Sequence, residues 1–346
     1  MLLPPHPQSW LFLLAALLAG CSGPLTRYEF SQPKMGTTFR IVLYAPDAAR
    51  AEAAAAAAFA RIDELNAILS DYDRNSELSQ LSQASQTGPT GPIAVSPDLW
   101  RVFSAAQQLA ERTDGAFDVT VGPYVRLWRR QRRLGELPSE ERLAEARAAV
   151  GYRKLELNER DRTVRLLARD MRLDLGGIAK GYTVDEVLAL LKKMGIRYAL
   201  VDGGGDVAVS DPPPGQPGWR IALQPMTESG ESDGWLTVSN CAVATSGDTF
   251  NYTEINGTRY SHIIDPATGL GLTHRIGVTV IAPDGMTADA MASAISVLGV
   301  QRGLELAEAT DAVAVRIVTA DNGQVRVYES RRFEGLPVPT DRETVD

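Results

Sequence analysis

Histidine and cysteine are almost absent from this chain. Of its 346 residues, 3 are histidine and 2 are cysteine. His6 and Cys21 stand in the N-terminal segment, which leaves His262, His274 and Cys241 for the rest. A His- or Cys-rich zinc or copper site cannot be assembled from these. Any catalytic metal would be a hard cation on oxygen ligands, such as Mg²⁺. With Cys21 set aside, one cysteine makes no internal disulfide, so oxidising surroundings are tolerated and not exploited. Positive charge is also in deficit: the net charge is -8, which argues against a nucleic-acid surface. The one basic cluster, Arg126-Leu-Trp-Arg-Arg-Gln-Arg-Arg133, reads as a solvated helix end or a partner contact.

The apolar run Trp10-Leu-Phe-Leu-Leu-Ala-Ala-Leu-Leu-Ala-Gly-Cys21 is too short to span a bilayer as a permanent helix. It fits the apolar core of a secretory signal. Small residues before a cysteine match a bacterial lipoprotein cleavage site, with Cys21 as the lipidated N-terminus. The segment ahead of the run holds no Lys or Arg, only His6 and the initiator amine. An ordinary signal peptide or an uncleaved anchor is the alternative. Ser22 carries no inner-membrane retention aspartate, so the membrane that holds the anchor stays open. We read residues 1–20 as signal, 21–33 as tether, 34–330 as the folded domain and 331–346 as a C-terminal tail. About 325 residues beyond the signal are enough for a substantial core.

The domain is organised around Leu173-Asp-Leu-Gly-Gly-Ile-Ala-Lys-Gly-Tyr-Thr-Val-Asp185. Arg172–Leu175 reads as the end of a strand, Gly176-Gly177 as a turn, and Ile178 onward as a helix stopped by Gly195. A glycine turn feeding a helix start presents N–H groups and a positive dipole end, which suits an anion. A plain strand-to-helix connection is the alternative. Elsewhere the spacing predicts helices over 48–69, 97–112, 140–149, 287–298 and 304–309. Strands are expected near 36–44, 154–157, 164–167, 198–201, 207–209, 219–223, 236–238, 242–245, 277–282 and 313–318. Residues 70–79 read as a polar turn around Tyr72, and 114–123 as a turn entering an irregular segment. Helices and strands mix without a regular βαβ repeat, so the class is α+β. The Gly203-Gly-Gly-Asp206 loop lacks the dinucleotide fingerprint, which excludes a Rossmann reading.

Four stretches together resemble the bacterial FAD:protein FMN transferases, the ApbE flavin-transferase lipoproteins. They are Asp114-Gly-Ala-Phe-Asp-Val-Thr-Val-Gly-Pro123, Leu173-Asp-Leu-Gly-Gly-Ile-Ala-Lys-Gly-Tyr182, Ala244-Thr-Ser-Gly-Asp248 and His262-Ile-Ile-Asp-Pro-Ala-Thr-Gly269. The similarity runs from Met35-Gly36 to about residue 320. It implies a compact two-lobed α+β fold with the flavin site between the lobes. The implied activity is Mg²⁺-dependent transfer of FMN from FAD onto a Thr or Ser hydroxyl of an exported or membrane target, releasing AMP. Redox-pump subunits are the acceptors by family analogy. The implied location is the periplasmic side of the envelope, lipid-anchored, at the inner membrane by the same analogy.

The resemblance places FAD contacts at Met35, Tyr72, Ala116, Phe117, Asp118, Asp174, Lys180 and Ile263. It places metal ligands at the Gly177 carbonyl and at the side chains of Asp289 and Ser293, where many members carry threonine for the serine. Asp289 and Ser293 are i and i+4 in a predicted helix, so both oxygens share one face. A helix-start aspartate with a solvent-facing serine is the alternative. Lys180 with the N–H groups near Gly176-Gly177 would hold the pyrophosphate, against a snorkelling surface lysine. His262 is the candidate acceptor of the hydroxyl proton. A turn histidine bonded to Asp265 is its bland counterpart, and Asp118 or Asp174 would share the base role. Two other functions stay open: an FAD pyrophosphatase in which water attacks, and a flavin-binding lipoprotein without turnover.

Overall fold

The computed structural model describes residues 24–223, 234–247, 252–321 and 324–336. Cys21, the signal-like segment, Asp248 and residues 337–346 lie outside them. In chain order the first elements are β1 (Thr26–Lys34), β2 (Thr37–Ala45), α1 (Ala48–Leu69), α2 (Glu77–Ala84), β3 (Ile93–Ala94) and α3 (Pro97–Arg112). Next come α4 (Gly122–Leu134), α5 (Glu140–Ala149), β4 (Leu155–Asn158), β5 (Thr163–Leu166) and α6 (Ala179–Lys193). Then follow β6 (Ala199–Gly203), β7 (Val207–Val209), β8 (Trp219–Ala222), β9 (Trp235–Val238) and β10 (Cys241–Gly247). The chain continues with β11 (Tyr252–Ile255), β12 (Thr258–Ser261), β13 (Arg275–Ala282), α7 (Gly285–Glu308), β14 (Ala314–Asp321), β15 (Gln324–Glu329) and α8 (Arg331–Glu334).

One sheet, ordered β1-β2-β6-β7-β10-β13-β14-β15, carries the fold, and every neighbouring pair in it is antiparallel. Helices α1, α6 and α7 cover one face. Alanine-rich α1 buries Ala51, Ala54, Ala55, Ala58, Phe59, Ile62 and Leu65 at helical spacing, and Asp47 caps it by accepting from Arg50 N at 2.8 Å. The opposite face is also covered: Trp219, Leu236, Val238 and Phe333 pack there against Val42, Leu200, Val209, Val243 and Ile281. Burial from both sides explains why β13 is nearly continuous in apolar residues, not alternating. A smaller lobe forms where Tyr124 of α4 and Leu143 and Ala146 of α5 pack with Ile264 and Leu270 of the turn after β12. The α+β, two-lobed expectation describes this arrangement. Among the described residues no helix is long and apolar enough to cross a membrane.

Several boundaries differ from the sequence reading. Thr26–Lys34, all but its last residue in the stretch read as tether, is an edge strand paired along its length with β2. Its side chains are mostly exposed, so it carries little burial pattern to read. The stretch read as tail begins with α8, whose Phe333 is 1% exposed in the core. Arg172–Leu175 is not a strand: only an isolated bridge joins Val121 and Arg172. The basic cluster lies in a full helix, α4, whose buried face is Tyr124, Trp128 and Gln131. Helix α2, the β11–β12 hairpin and edge strand β15 were not anticipated either. By contrast α7 breaks at Gly299 (φ 75°), between the two helices that the spacing predicts.

Candidate active site

Helices α6 and α7 cross so closely that only glycine fits between them. A Cβ on Gly181 would meet the Gly285 carbonyl oxygen at 2.1 Å and Asp289 Cβ at 2.7 Å. This approach lets Gly181 N–H donate to Asp289 Oδ2 at 3.1 Å. Asp185, one turn along α6, accepts from Gly285 N at 2.7 Å and Met286 N at 2.9 Å. The crossing therefore sets Lys180 beside Asp289. Lys180 Nζ donates to Asp206 Oδ2 in a short ion pair. Asp206 is delivered by a tight β6–β7 turn in which Gly204 and Gly205 (φ 77° and 103°) donate to Asp202 Oδ1 at 3.0 Å each.

Electrostatics follow from that burial. Desolvation opposes the Lys180 charge, yet Asp289 and Asp206 together hold its ammonium above the ordinary lysine range. Asp289 is 3% exposed, and burial, then Asp206, push its carboxyl up to about 7. Asp206 is likewise raised by burial against the pull of Lys180. Ser293 Oγ lies 3.5 Å from Ser246 Oγ, and a Cβ on Gly177 would stand 2.7 Å from Ser293 Oγ. Gly177 thus lies against Ser293, and Asp289, one turn before Ser293 on α7, shares its helix face, so the two side-chain oxygens border one spot. Among the described residues no three His, Cys, Asp or Glu cluster to hold a metal. One buried carboxylate, one hydroxyl and one carbonyl nonetheless fit Mg²⁺, which keeps several waters and binds through one or two carboxylates plus substrate phosphates.

Several of the N–H groups expected to form a cradle at Gly176-Gly177 are already engaged within the protein. Gly176 N–H donates to Asp174 Oδ1 at 2.8 Å, Ile178 and Ala179 N–H to Leu175 O at 3.0 and 2.9 Å, and Gly181 N–H to Asp289. Neither glycine has a positive φ. Gly177 is needed for close approach, because a Cβ there would stand 2.7 Å from Ser293 Oγ and 3.1 Å from Ser293 Cβ. Lys180 is not a snorkelling surface lysine, and Asp289 does not face solvent.

Other predicted residues take their places around this centre. Met35 sits at the β1–β2 turn (φ 49°), and its sulfur accepts from Thr183 Oγ1 of α6 at 3.5 Å. Ala116 and Phe117 follow α3, with Phe117 N donating to Thr113 Oγ1 at 3.2 Å. Asp118 holds its own loop: Oδ1 accepts from Thr120 N and Oγ1 at 2.7 Å each. Burial raises its carboxyl despite those bonds. His262 is exposed, and Ile263 half-buried, on the turn after β12. The Asp265 carboxylate accepts from Ala267 N at 2.9 Å and Thr268 Oγ1 at 3.2 Å in that turn. Tyr260 of β12 packs on Trp128 of α4, ring centroids 5.3 Å apart.

Tyr72 and Asp174 meet through a residue the sequence reading did not single out. Arg129 of α4 lies over the Tyr72 ring, 4.0 Å from its centroid. It also pairs with Asp71 at 2.5 Å and Asp174 at 3.4 Å. Burial, then Asp71, raise the Asp174 carboxyl. Asp71, Asp202, Asp206 and Ser246 were also missed as site residues, although the glycine loop ahead of Asp206 was a visible signal.

A sequence profile described as the ApbE family matches residues 35–317. The chain belongs to the ApbE family. The matched span contains every site residue named above except Cys21. The chain is 36% identical over 334 residues to a Vibrio cholerae serotype O1 protein named FAD:protein FMN transferase, covering 94% of this chain and 98% of that one. A Haemophilus influenzae protein of the same name is 36% identical over 323 residues, covering 90% and 92%. In three dimensions the chain is similar to a structure titled flavin transferase ApbE from Vibrio cholerae: TM-score 0.81, 32% identity, 91% of this chain and all of that one.

Proposed function

We propose that this ApbE-family chain splits FAD and carries the FMN half onto a threonine or serine hydroxyl of an exported or membrane target protein, releasing AMP. Relatives at 36% identity over nearly full length bear the name of that activity. The observation that carries the reading is the α6–α7 crossing. It sets a lysine ammonium, a buried carboxylate and a hydroxyl around one spot, beside a turn where added side-chain bulk would collide. Phosphoryl transfer asks for such positioning and charge neutralisation, with little covalent chemistry from the protein.

In the reaction the acceptor oxygen attacks the phosphorus nearer riboflavin. The bridging P–O bond breaks and its electron pair leaves with AMP, so the product is a phosphoester. Lys180 would neutralise pyrophosphate charge, and Asp206 holds its ammonium in place. A Mg²⁺ held by Asp289, Ser293 and the Gly177 carbonyl would offset charge on the phosphate oxygens. His262 is our candidate to take the hydroxyl proton, and its exposure suits a hydroxyl arriving on another protein. Tyr72 offers exposed aromatic surface for the flat rings of FAD, and buried Phe117 would border them. We place the chain on the periplasmic side of the envelope, tethered by a lipid on Cys21; the Leu-Ala-Gly-Cys run supports this.

AMP release tests the reading. With FAD and Mg²⁺, AMP is expected in proportion to the acceptor protein supplied. AMP and free FMN formed regardless of acceptor would make the chain a pyrophosphatase. FAD left intact would make it a binding protein.

A further inference from the structure

We propose that Arg129 is a positioning residue of the flavin-nucleotide site, clamping the Tyr72 ring and the Asp174 carboxylate in one arrangement and so setting the affinity for FAD. This rests on the reading of the chain as an FAD-using transferase. Tyr72 is 78% exposed, and an exposed tyrosine ordinarily samples several rotamers. Here its backbone is pinned, because Ser70 Oγ accepts from both Tyr72 N and Asp73 N at 3.2 Å. The ring is covered on one side by the Arg129 guanidinium.

Arg129 is itself fixed from both flanks. Asp71 Oδ2 takes Nη1 at 2.5 Å and Asp174 Oδ2 takes Nη2 at 3.4 Å. The two carboxylate side chains are only 11% and 12% exposed. Residues 71 and 72 therefore grip one cation from two sides, one turned inward and one outward. The other oxygen of Asp174 accepts from Gly176 N, next to Gly177 and the Ser293 hydroxyl. A continuous path thus runs from the exposed aromatic ring, through Arg129 and Asp174, to the oxygen-lined spot. Without Arg129, Asp71 and Asp174 would be two buried carboxylates repelling each other, and the loop bearing Tyr72 would lose its tie to the 174–177 turn. Lysine does not substitute fully, because only guanidinium is flat enough to stack while bonding sideways to two acids.

The experiment is a titration of FAD into the full-length protein, with steady-state transfer measured in parallel. Arg129→Met is expected to raise both the Kd and the KM for FAD about ten-fold, with kcat within about three-fold of wild type. Arg129→Lys should recover part of that loss, and Arg130→Met, on the exposed side of the same helix, should change nothing. In a Tyr72→Leu background, Arg129→Met should cost less than it does alone. Wild-type FAD affinity in Arg129→Met, a loss confined to kcat, or full additivity with Tyr72→Leu would each overturn the inference. If Arg129→Met does not fold, Arg129→Lys carries the same comparison. A wild-type protein that binds no FAD would instead refute the functional reading, and this inference with it.

Discussion

Asp206 is the residue on which the charge balance of the site turns. Its side chain is 4% exposed and that of Lys180 is 30% exposed, so the pair is buried on the acid's side and partly wet on the base's. Asp206→Asn would leave the lysine facing Asp289 and, more weakly, Asp202. It should lower stability by about 2 kcal/mol, less than for a fully buried pair because solvent screens Lys180. A shift in denaturant midpoint at unchanged slope measures this. Cys241 makes a second residue-scale prediction. Burial pushes its thiol up to about 11, so at pH 7.5 it should resist iodoacetamide in the folded protein and react quickly once unfolded. Peptide mapping of labelled protein decides; fast labelling of the folded chain would contradict it. At this scale the motifs pointed to Lys180, which the structure sets beside Asp289 and Asp206. Arg129 was not legible, because nothing in a run of five arginines tells which one turns inward. That choice is made by Tyr124, Trp128 and Gln131, which bury the adjoining face of α4.

Among elements, the α6–α7 crossing matters most. Gly181→Ala would force a methyl into the Gly285 carbonyl and Asp289, separating the helices. The expected cost is roughly 1–3 kcal/mol, with a loss of turnover larger than the loss of FAD affinity. Melting temperature and the kcat/KM split report the two effects. Asp185 ties the same helices and predicts a pH dependence. Burial, opposed by its two backbone bonds, pushes its carboxyl from 3.8 up to about 7. A raised folded-state pKa gives a contribution that is full below 3.8 and is lost as pH rises towards about 7. Asp185→Asn should therefore flatten the decline of stability across that window, as followed by denaturant midpoints; an unchanged slope would contradict the assignment. Elements with strong period or capping were readable from sequence, notably α3 and α5, whose bounds match the prediction. The misses have physical reasons. Edge strands β1 and β15 are largely exposed, with alternation confined in β1 to Tyr28 and Phe30, while the charges of α4 conceal its apolar face.

At the scale of the whole molecule, a single antiparallel sheet is sealed on both faces, with helices on one side and the β8–β9 pair with α8 on the other. The groups proposed to act in the reaction lie on the helical side or at the small lobe, so the opposite face should carry stability without chemistry. Phe333→Ala is expected to cost about 3 kcal/mol and leave FAD affinity unchanged. Thermal melts and FAD titration together check that separation. Function at this scale was legible only because four short motifs occurred in order. The residues around the site gather through contacts between distant segments, such as Gly181 with Gly285 and Tyr72 with Arg129, which no local pattern encodes. The most direct test of the account is intact-mass spectrometry of a threonine-bearing acceptor domain incubated with this protein, FAD and Mg²⁺. The account predicts a gain of one FMN on the acceptor with a matching amount of AMP, and neither with Asp289→Ala. An acceptor of unchanged mass, while wild-type protein consumes FAD to free FMN and AMP, would contradict it.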